Sequence, residues 1–379
     1  MFINMRRFRK YQQLGLIATC FTIFFILVNW EKIDNKIVTH VKAYTYRYLW
    51  NNFKFINTSF RVSPIEAMKY HNYTYLLNQE KKCGARDILL LLFVKSSSEN
   101  FDRRHAIRST WGNEVYVNNM FGVTVKVLFV LGVHPEPKWR KMLKPQLILE
   151  DKKYKDLIQQ DFIDTFHNLT LKLLLQLSWK ETYCPHAKFF MSADDDVFVH
   201  IPNLIRYLQK IGRSDAKTLW IGRVHRGSPP DRDKASKYYV SQDMYPWLSY
   251  PDYTPGSGYV LSKDVATKMY QASRTLNASL HIDDAFLGIC ATIMGISPKD
   301  HVFFSGEGKA PYHCCIYNQM MTSHGHVNDI YEVWRMATDP QVTQLSSGLF
   351  SRLYCTLVKV RLLCVPFFSN SYPCKASFL

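Results

Sequence analysis

Three adjacent carboxylates, Asp194, Asp195 and Asp196, interrupt an apolar run, with Phe189-Phe190-Met191 before them and Val197-Phe198-Val199 after. Charges of one sign taken out of water are costly unless something cationic faces them. Oxygen ligands at the carboxyl end of a buried strand suit a hard divalent ion, Mg²⁺ or Mn²⁺, which also holds a substrate's phosphates. A solvated acidic turn is the plain alternative. The apolar flanks argue against a free surface turn, so a metal is expected.

A second acidic pair, Asp283-Asp284, stands just before residues 285–290 and fits a helix N-terminus, where carboxylates complement the dipole. Arg104 and Arg108 share one helical segment. One guanidinium is expected to face a diphosphate, the alternative being an ordinary helix–carboxylate pair with Asp161 or Asp164. No Gly-x-Gly-x-x-Gly follows the first strand, and there is no phosphate-binding Walker loop or Gly-x-Ser-x-Gly elbow. Dinucleotide chemistry is therefore not expected.

The elements that must position these acids alternate between strand and helix. Residues 87–95 and 123–132 read as continuous buried strands, residues 100–112 as a helix closed by Gly112, and residues 136–155 as charged helical sequence. An amphipathic segment, 168–179, leads into the Phe189 strand. This order predicts an α/β fold, a sheet with helices on both faces and ligands beyond the carboxyl ends of its strands.

The chain has 379 residues and a net charge of +17. Scattered basic residues and the N-terminus argue against nucleic acid as the partner. Residues 11–30 carry no formal charge; Arg6, Arg7, Arg9 and Lys10 precede them, and Glu31, Lys32 and Asp34 follow. This pattern predicts an uncleaved transmembrane signal-anchor with residues 1–10 cytosolic and the rest lumenal. Sequons at Asn57, Asn72, Asn168 and Asn277 all lie past the anchor, as do eight of the nine cysteines, so glycans and disulfides of unspecified pairing are expected. Residues 31–84, rich in Tyr, Asn and Lys, read as a stem, and 85–379 as the lumenal catalytic domain. Its C-terminal segment, 349–379, mixes apolar and basic residues with Cys355, Cys364 and Cys374. It is either a disulfide-tied flap or a surface that rests on a membrane.

Six motifs, taken in order, resemble the β-1,3-glycosyltransferases of the secretory pathway: Arg104-His-Ala-Ile-Arg-Ser-Thr-Trp111, Phe129-Val-Leu-Gly132, Asp161-Phe-Ile-Asp-Thr-Phe-His-Asn-Leu-Thr-Leu-Lys172, Asp194-Asp-Asp196, Gly256-Ser-Gly-Tyr-Val-Leu-Ser262 and Ile282-Asp-Asp-Ala-Phe-Leu-Gly288. The resemblance covers roughly residues 85–340. It implies an inverting enzyme with a GT-A fold, a nucleotide-binding-like mixed sheet, in the Golgi membrane. Three stretches, 220–230, 303–309 and 320–326, look closer to members that extend glycolipids than to the galactosyltransferases. They imply UDP-GlcNAc as donor, Mn²⁺ (or Mg²⁺) as cofactor and lactosylceramide as acceptor. The alternatives are a β-1,3-galactosyltransferase, a glycoprotein-directed sister enzyme, or a catalytically silent lumenal binding protein.

The resemblance also implies residue roles. Asp196 is the expected direct metal ligand, with Asp194 and Asp195 on the ribose, the metal's waters or the donor sugar. Asp284 is the expected base, with Asp283 as the alternative. Here the chain departs from the family's Glu-Asp-Val-like pattern, carrying Asp283 for the Glu and Ala285 for the Val. His324 or His326 completes the metal site, the spacing to Trp334 favouring His324. Gly256 and Gly258 are expected to admit the donor sugar, and some of Tyr238, Tyr239, Tyr245, Trp247, Tyr250 and Tyr253 to stack on the acceptor.

Overall fold

Six residues of one strand, Ile88, Leu90, Leu91, Leu92, Phe93 and Val94, are fully buried, so both faces of that strand must be covered. They alternate sides: Leu91 and Phe93 enter one hydrophobic cluster, and Leu90, Leu92 and Val94 the other. In the computed structural model, which describes residues 3–29, 60–84, 87–212, 216–305, 308–311, 313–324, 330–345 and 348–361, this strand lies inside an eight-stranded sheet.

The strands are β1 (Tyr75–Leu77), β2 (Ile88–Lys95), β3 (Thr124–Val133), β4 (Leu157–Ile163), β5 (Phe189–Asp194), β6 (Val197–Val199), β7 (Trp220–Gly222), β8 (Tyr259–Ser262), β9 (Lys299–Asp300) and β10 (Thr322–His324). The sheet order is β1-β4-β3-β2-β5-β8-β7-β9, and β10 pairs with β6 in a separate ribbon. The central strands β4, β3, β2 and β5 are parallel, whereas β1 and β8 join antiparallel. The sheet is therefore mixed, with its parallel carboxyl ends on one edge.

Along the chain the helices are α1 (Ile3–Val28), α2 (Pro64–Met68), α3 (Phe101–Ser109), α4 (Glu114–Phe121), α5 (Pro137–Tyr154), α6 (Leu169–Tyr183) and α7 (Ile201–Lys210). They continue with α8 (Lys263–Ser273), α9 (Asp283–Ile293), α10 (Cys314–Tyr317), α11 (Ile330–Thr338), α12 (Pro340–Leu345) and α13 (Leu349–Arg361). Helix α7 buries Ile201, Leu204, Ile205 and Leu208, an i, i+3, i+4, i+7 stripe, against one face of the sheet. The opposite face is covered by α6, whose Leu173, Leu174, Leu177 and Trp179 are all buried.

One expectation changes. The stem does not extend to 84: from Phe60 on the chain is folded into the domain. Phe60 is buried, Ser63 and Glu66 cap α2 reciprocally, β1 pairs with β4, and Cys83 is bonded to Cys184. These short elements lack periodicity of their own and are stable only through the edge they complete. Disulfide pairing, open in the sequence, includes Cys315–Cys355, while Cys290 and Cys314 are free and Cys364 and Cys374 lie outside the described residues. Helix α1 exposes Leu14, Leu16, Ile17, Phe21, Ile23 and Phe25. Among the described residues no helix is long and apolar enough to cross a membrane, so the span expected at 11–30 rests on the sequence. Of the sequons, Asn72 is exposed, whereas Asn168 and Asn277 are half-buried and hydrogen-bonded, and Asn57 lies outside the described residues.

Candidate active site

Strand β2 ends on Lys95, which is paired in register with Asp194 at the end of β5. The Lys95 side chain is buried, with Nζ 3.1 Å from Asp194 Oδ1 and 2.9 Å from Asp283 Oδ2. Burial works to strip its proton, but Asp194, Asp283 and Asp284 overcome that and hold its pKa well above the usual lysine value. One lysine thus neutralises part of two acidic motifs that are far apart in sequence.

Gly256 joins the same two motifs through its backbone. Its carbonyl accepts from the Asp194 N–H at 3.2 Å, and its N–H donates to Asp284 Oδ2 at 3.0 Å. A Cβ at Gly256 would come within 2.8 Å of both Asp194 Oδ2 and Lys95 Nζ. Gly258 has a φ of +131°, and a Cβ there would meet Thr322 Cγ2 at 2.8 Å. The space a side chain would take at each of these glycines is filled by the chain's own side chains. Gly256→Ala is therefore expected to fold, since both obstructing atoms are flexible side-chain ends. It displaces the Lys95–Asp194 pair, and kcat falls by about 10²-fold, the scale of a 1 Å misplacement. Unchanged kcat with unchanged thermal stability would refute this reading.

The two acids of α9 are in different states. Asp283 is buried and ion-paired. Asp284 has no ion-pair partner of its own among the described residues; burial first, then Asp283 and Asp194, push its pKa well above the usual carboxylate value, with Lys95 and the Gly256 N–H pulling the other way. A carboxylate with raised proton affinity is what a general base requires.

In the triplet, each acid has a separate environment. Asp194, about a third exposed, has its pKa raised to about 6 by burial and by Asp196 and Asp283, against the pull of Lys95. Asp195 is fully engaged: Ser96 Oγ, Asn100 Nδ2 and Arg103 donate to it at 2.6, 2.9 and 2.9 Å. Asp196 points the other way, toward His324, whose Nε2 is 3.3 Å from Asp196 Oδ1. The β6–β10 ribbon sets this pair, with His324 in register with Val197. Burial raises the Asp196 pKa, but His324 and Arg103 outweigh it and the net shift is downward.

Among the described residues Asp196 Oδ1 is a buried oxygen that touches His324 Nε2 at 3.3 Å but has no partner in good hydrogen-bond geometry. A buried carboxylate oxygen without a well-formed hydrogen bond, beside an imidazole nitrogen, fits a divalent cation whose remaining positions go to waters and phosphate oxygens. The residues present therefore fit a metal, with Asp196 and His324 as its holders and Asp194 held back by Lys95. His326 lies outside the described residues. A second cluster, His313, Cys314 and Cys315, has ligating atoms within 4.8 Å of one another, but Cys315 is consumed by its disulfide.

Two expectations fail here. Neither Arg104 nor Arg108 faces the cleft. Arg104 is fully buried, forked onto Glu150 at 2.9 and 2.8 Å and onto the Ser97 carbonyl, and Arg108 grips Asp156 at 2.7 and 2.8 Å. Their partners are not Asp161, which binds Thr74, or Asp164, which pairs with Lys172. Arg104 acts at one remove, donating to the Ser96 hydroxyl that holds Asp195. Of the aromatic residues, Tyr245, Tyr250 and Tyr253 are core: their rings pack on one another and on Phe60 rather than lining an open cleft. Tyr238 and Tyr239 remain half-buried.

Lys95 and Arg103 were missed in the sequence. The available signal was a lysine ending an otherwise wholly apolar strand. A cavity of about 230 Å³ between α5 and the β1–β4 edge, lined by Leu76, Val133, Leu143 and Leu147, contains none of the acids and lies outside this site.

The model of the family described as Galactosyltransferase matches residues 102–302. Over 99% of its length the chain is 70% identical to the zebrafish (Danio rerio) lactosylceramide 1,3-N-acetyl-beta-D-glucosaminyltransferase B, covering 98% of that protein. It is 54% identical to the Homo sapiens lactosylceramide 1,3-N-acetyl-beta-D-glucosaminyltransferase, with 100% of both chains covered. A solved WbbM bifunctional glycosyltransferase aligns with 69% of this chain and 51% of its own at a TM-score of 0.36, too distant to bear on the fold. With acids, lysine and glycine arranged as above and relatives that align from end to end, the chain belongs to the galactosyltransferase family of β-1,3-glycosyltransferases.

Proposed function

We propose that this enzyme transfers GlcNAc from UDP-GlcNAc to the 3-hydroxyl of the terminal galactose of lactosylceramide, with inversion. The observation that carries the chemistry is Asp284, a carboxylate of raised proton affinity hydrogen-bonded to Gly256 in the same knot as Asp194. The relatives' names support the donor and acceptor.

Asp284 takes the proton of the acceptor hydroxyl as that oxygen attacks the anomeric carbon. A single in-line displacement on an α-linked sugar gives a β product, so no covalent enzyme nucleophile is needed. Asp283 and Lys95 fix the start of α9, and the neighbouring Asp283 charge helps raise the proton affinity of Asp284. Ser96, Asn100 and Arg103 lock Asp195, which holds the turn in place for the donor. A divalent cation, Mn²⁺ in this reading, when held by Asp196 and His324 offsets the charge of the departing diphosphate.

A panel of UDP sugars tested on lactose-ended acceptors decides the specificity. UDP-GlcNAc with a β-1,3 product is expected. Preference for UDP-galactose would establish the sister activity to which the family's description points.

The same reading places the enzyme in the Golgi membrane, single-pass, anchored at 11–30 with its catalytic domain lumenal. The basic cap before Tyr11 and the lumenal sequons support it. In sealed microsomes the domain is expected to resist added protease and to carry endoglycosidase-sensitive glycans. Digestion from outside contradicts this topology.

A further inference from the structure

Helix α13 presents an apolar face that the domain does not cover. Leu349, Phe350, Leu353, Tyr354 and Leu357 are 50–85% exposed. At 100° per residue they fall within an arc of about 140°. The opposite side is attached to the domain: Cys355 is buried and bonded to Cys315, and Val358 packs against the sheet-side cluster. The stripe is therefore held in a fixed orientation and is not a frayed end. Five adjacent large apolar side chains on one rigid helix form a contact surface, unlike singly scattered exposed residues.

We infer that this stripe rests on the membrane surface and sets the catalytic cleft beside a lipid head group. Three observations select a bilayer as the occupant. The helix sequence contains no acid, so nothing on it repels anionic head groups. Helix α1, with its own exposed apolar side chains, is in contact with α13, so the expected anchor and the stripe are neighbours. The Cys315–Cys355 bond attaches α13 to the segment that runs through Met320 and Met321 into β10 and His324, so the stripe is tied to the metal edge of the cleft. The inference rests on the glycolipid reading for its purpose. A disaccharide on ceramide extends only a short way from the bilayer, and an enzyme held away from the surface would not reach its galactose.

The test uses the full chain in phosphatidylcholine–phosphatidylserine vesicles. With Leu353 replaced by the photo-crosslinker p-benzoylphenylalanine, the adducts are expected to be phospholipid, while the same replacement at exposed Leu248 gives few. Adducts to a second copy of the chain, to its own residues 362–379, or none at all would each overturn the inference. In parallel, Phe350→Glu with Leu353→Glu is expected to lower kcat/KM on vesicle-borne lactosylceramide by about tenfold or more, with transfer to a soluble lactoside unchanged. The unchanged soluble activity reports that the variant is folded. An equal loss on both acceptors overturns membrane docking. A wild-type enzyme that ignores lactosylceramide yet gives lipid adducts overturns the acceptor assignment instead.

Discussion

Asp284→Asn is expected to lower kcat by about 10²–10⁴ while leaving donor binding nearly unchanged. The amide keeps the volume of the carboxylate and can still accept from the Gly256 N–H, so α9 and the Asp283–Lys95 pair persist. What is lost is the site that receives the hydroxyl proton. The wild-type pH profile supplies an independent check. A base must be ionised to act, and burial with two neighbouring acids raises the proton affinity of Asp284. The acid limb of kcat/KM is therefore expected above the ordinary carboxylate range near pH 4, and Asp284→Asn is expected to abolish it. Asp283→Asn acts differently, because it leaves Lys95 short of one partner and loses stability as well as rate. If the large, stability-neutral loss followed Asp283→Asn, the two roles would have to be exchanged.

Chelation is expected to have the second large effect. EDTA should abolish transfer and Mn²⁺ should restore it, and Asp196→Ala should cost roughly three orders of magnitude without unfolding the chain, the rate equivalent of several kcal/mol of charge stabilisation. The prediction rests on Asp196 Oδ1, a buried oxygen 3.3 Å from His324 Nε2 with no partner in good hydrogen-bond geometry among the described residues. Removing it takes away the contact to His324 in the two-stranded β6–β10 ribbon but leaves the eight-stranded sheet's Lys95–Asp194 pair in place. Binding of Mn²⁺ measured by water-proton relaxation gives a readout separate from turnover, and His324→Ala should weaken it. Full turnover in chelator would falsify the metal reading.

Much of the fold was legible in the chain because its strands are covered on both faces. Unbroken apolar runs at 87–95, 123–132 and 189–191 mark buried parallel strands, and they correspond to β2, β3 and β5. The triplet stood out for the same reason, as charge placed where such a run ends. The short elements were not legible. β1 and α2 sit in sequence that reads as stem, and β7 and β9 have three and two residues, so their stability comes from the neighbours they pair with.

What the sequence determined by itself was the inventory: an α/β sheet, an acidic triplet where a buried strand ends, a second acidic pair at a helix start and a glycine pair between them. These are local patterns, and local chemistry explains why each residue type is present. The tertiary structure alone decided how the inventory is divided. It paired Lys95 with Asp283 across 188 residues and raised the proton affinity of Asp284. It also turned Arg104 and Arg108 inward to Glu150 and Asp156, brought Arg103 to the cleft, and sent three of the tyrosines into the core. Proton affinity and ion pairing depend on distances of a few ångströms between segments remote in the chain, and no spacing along the sequence encodes those distances.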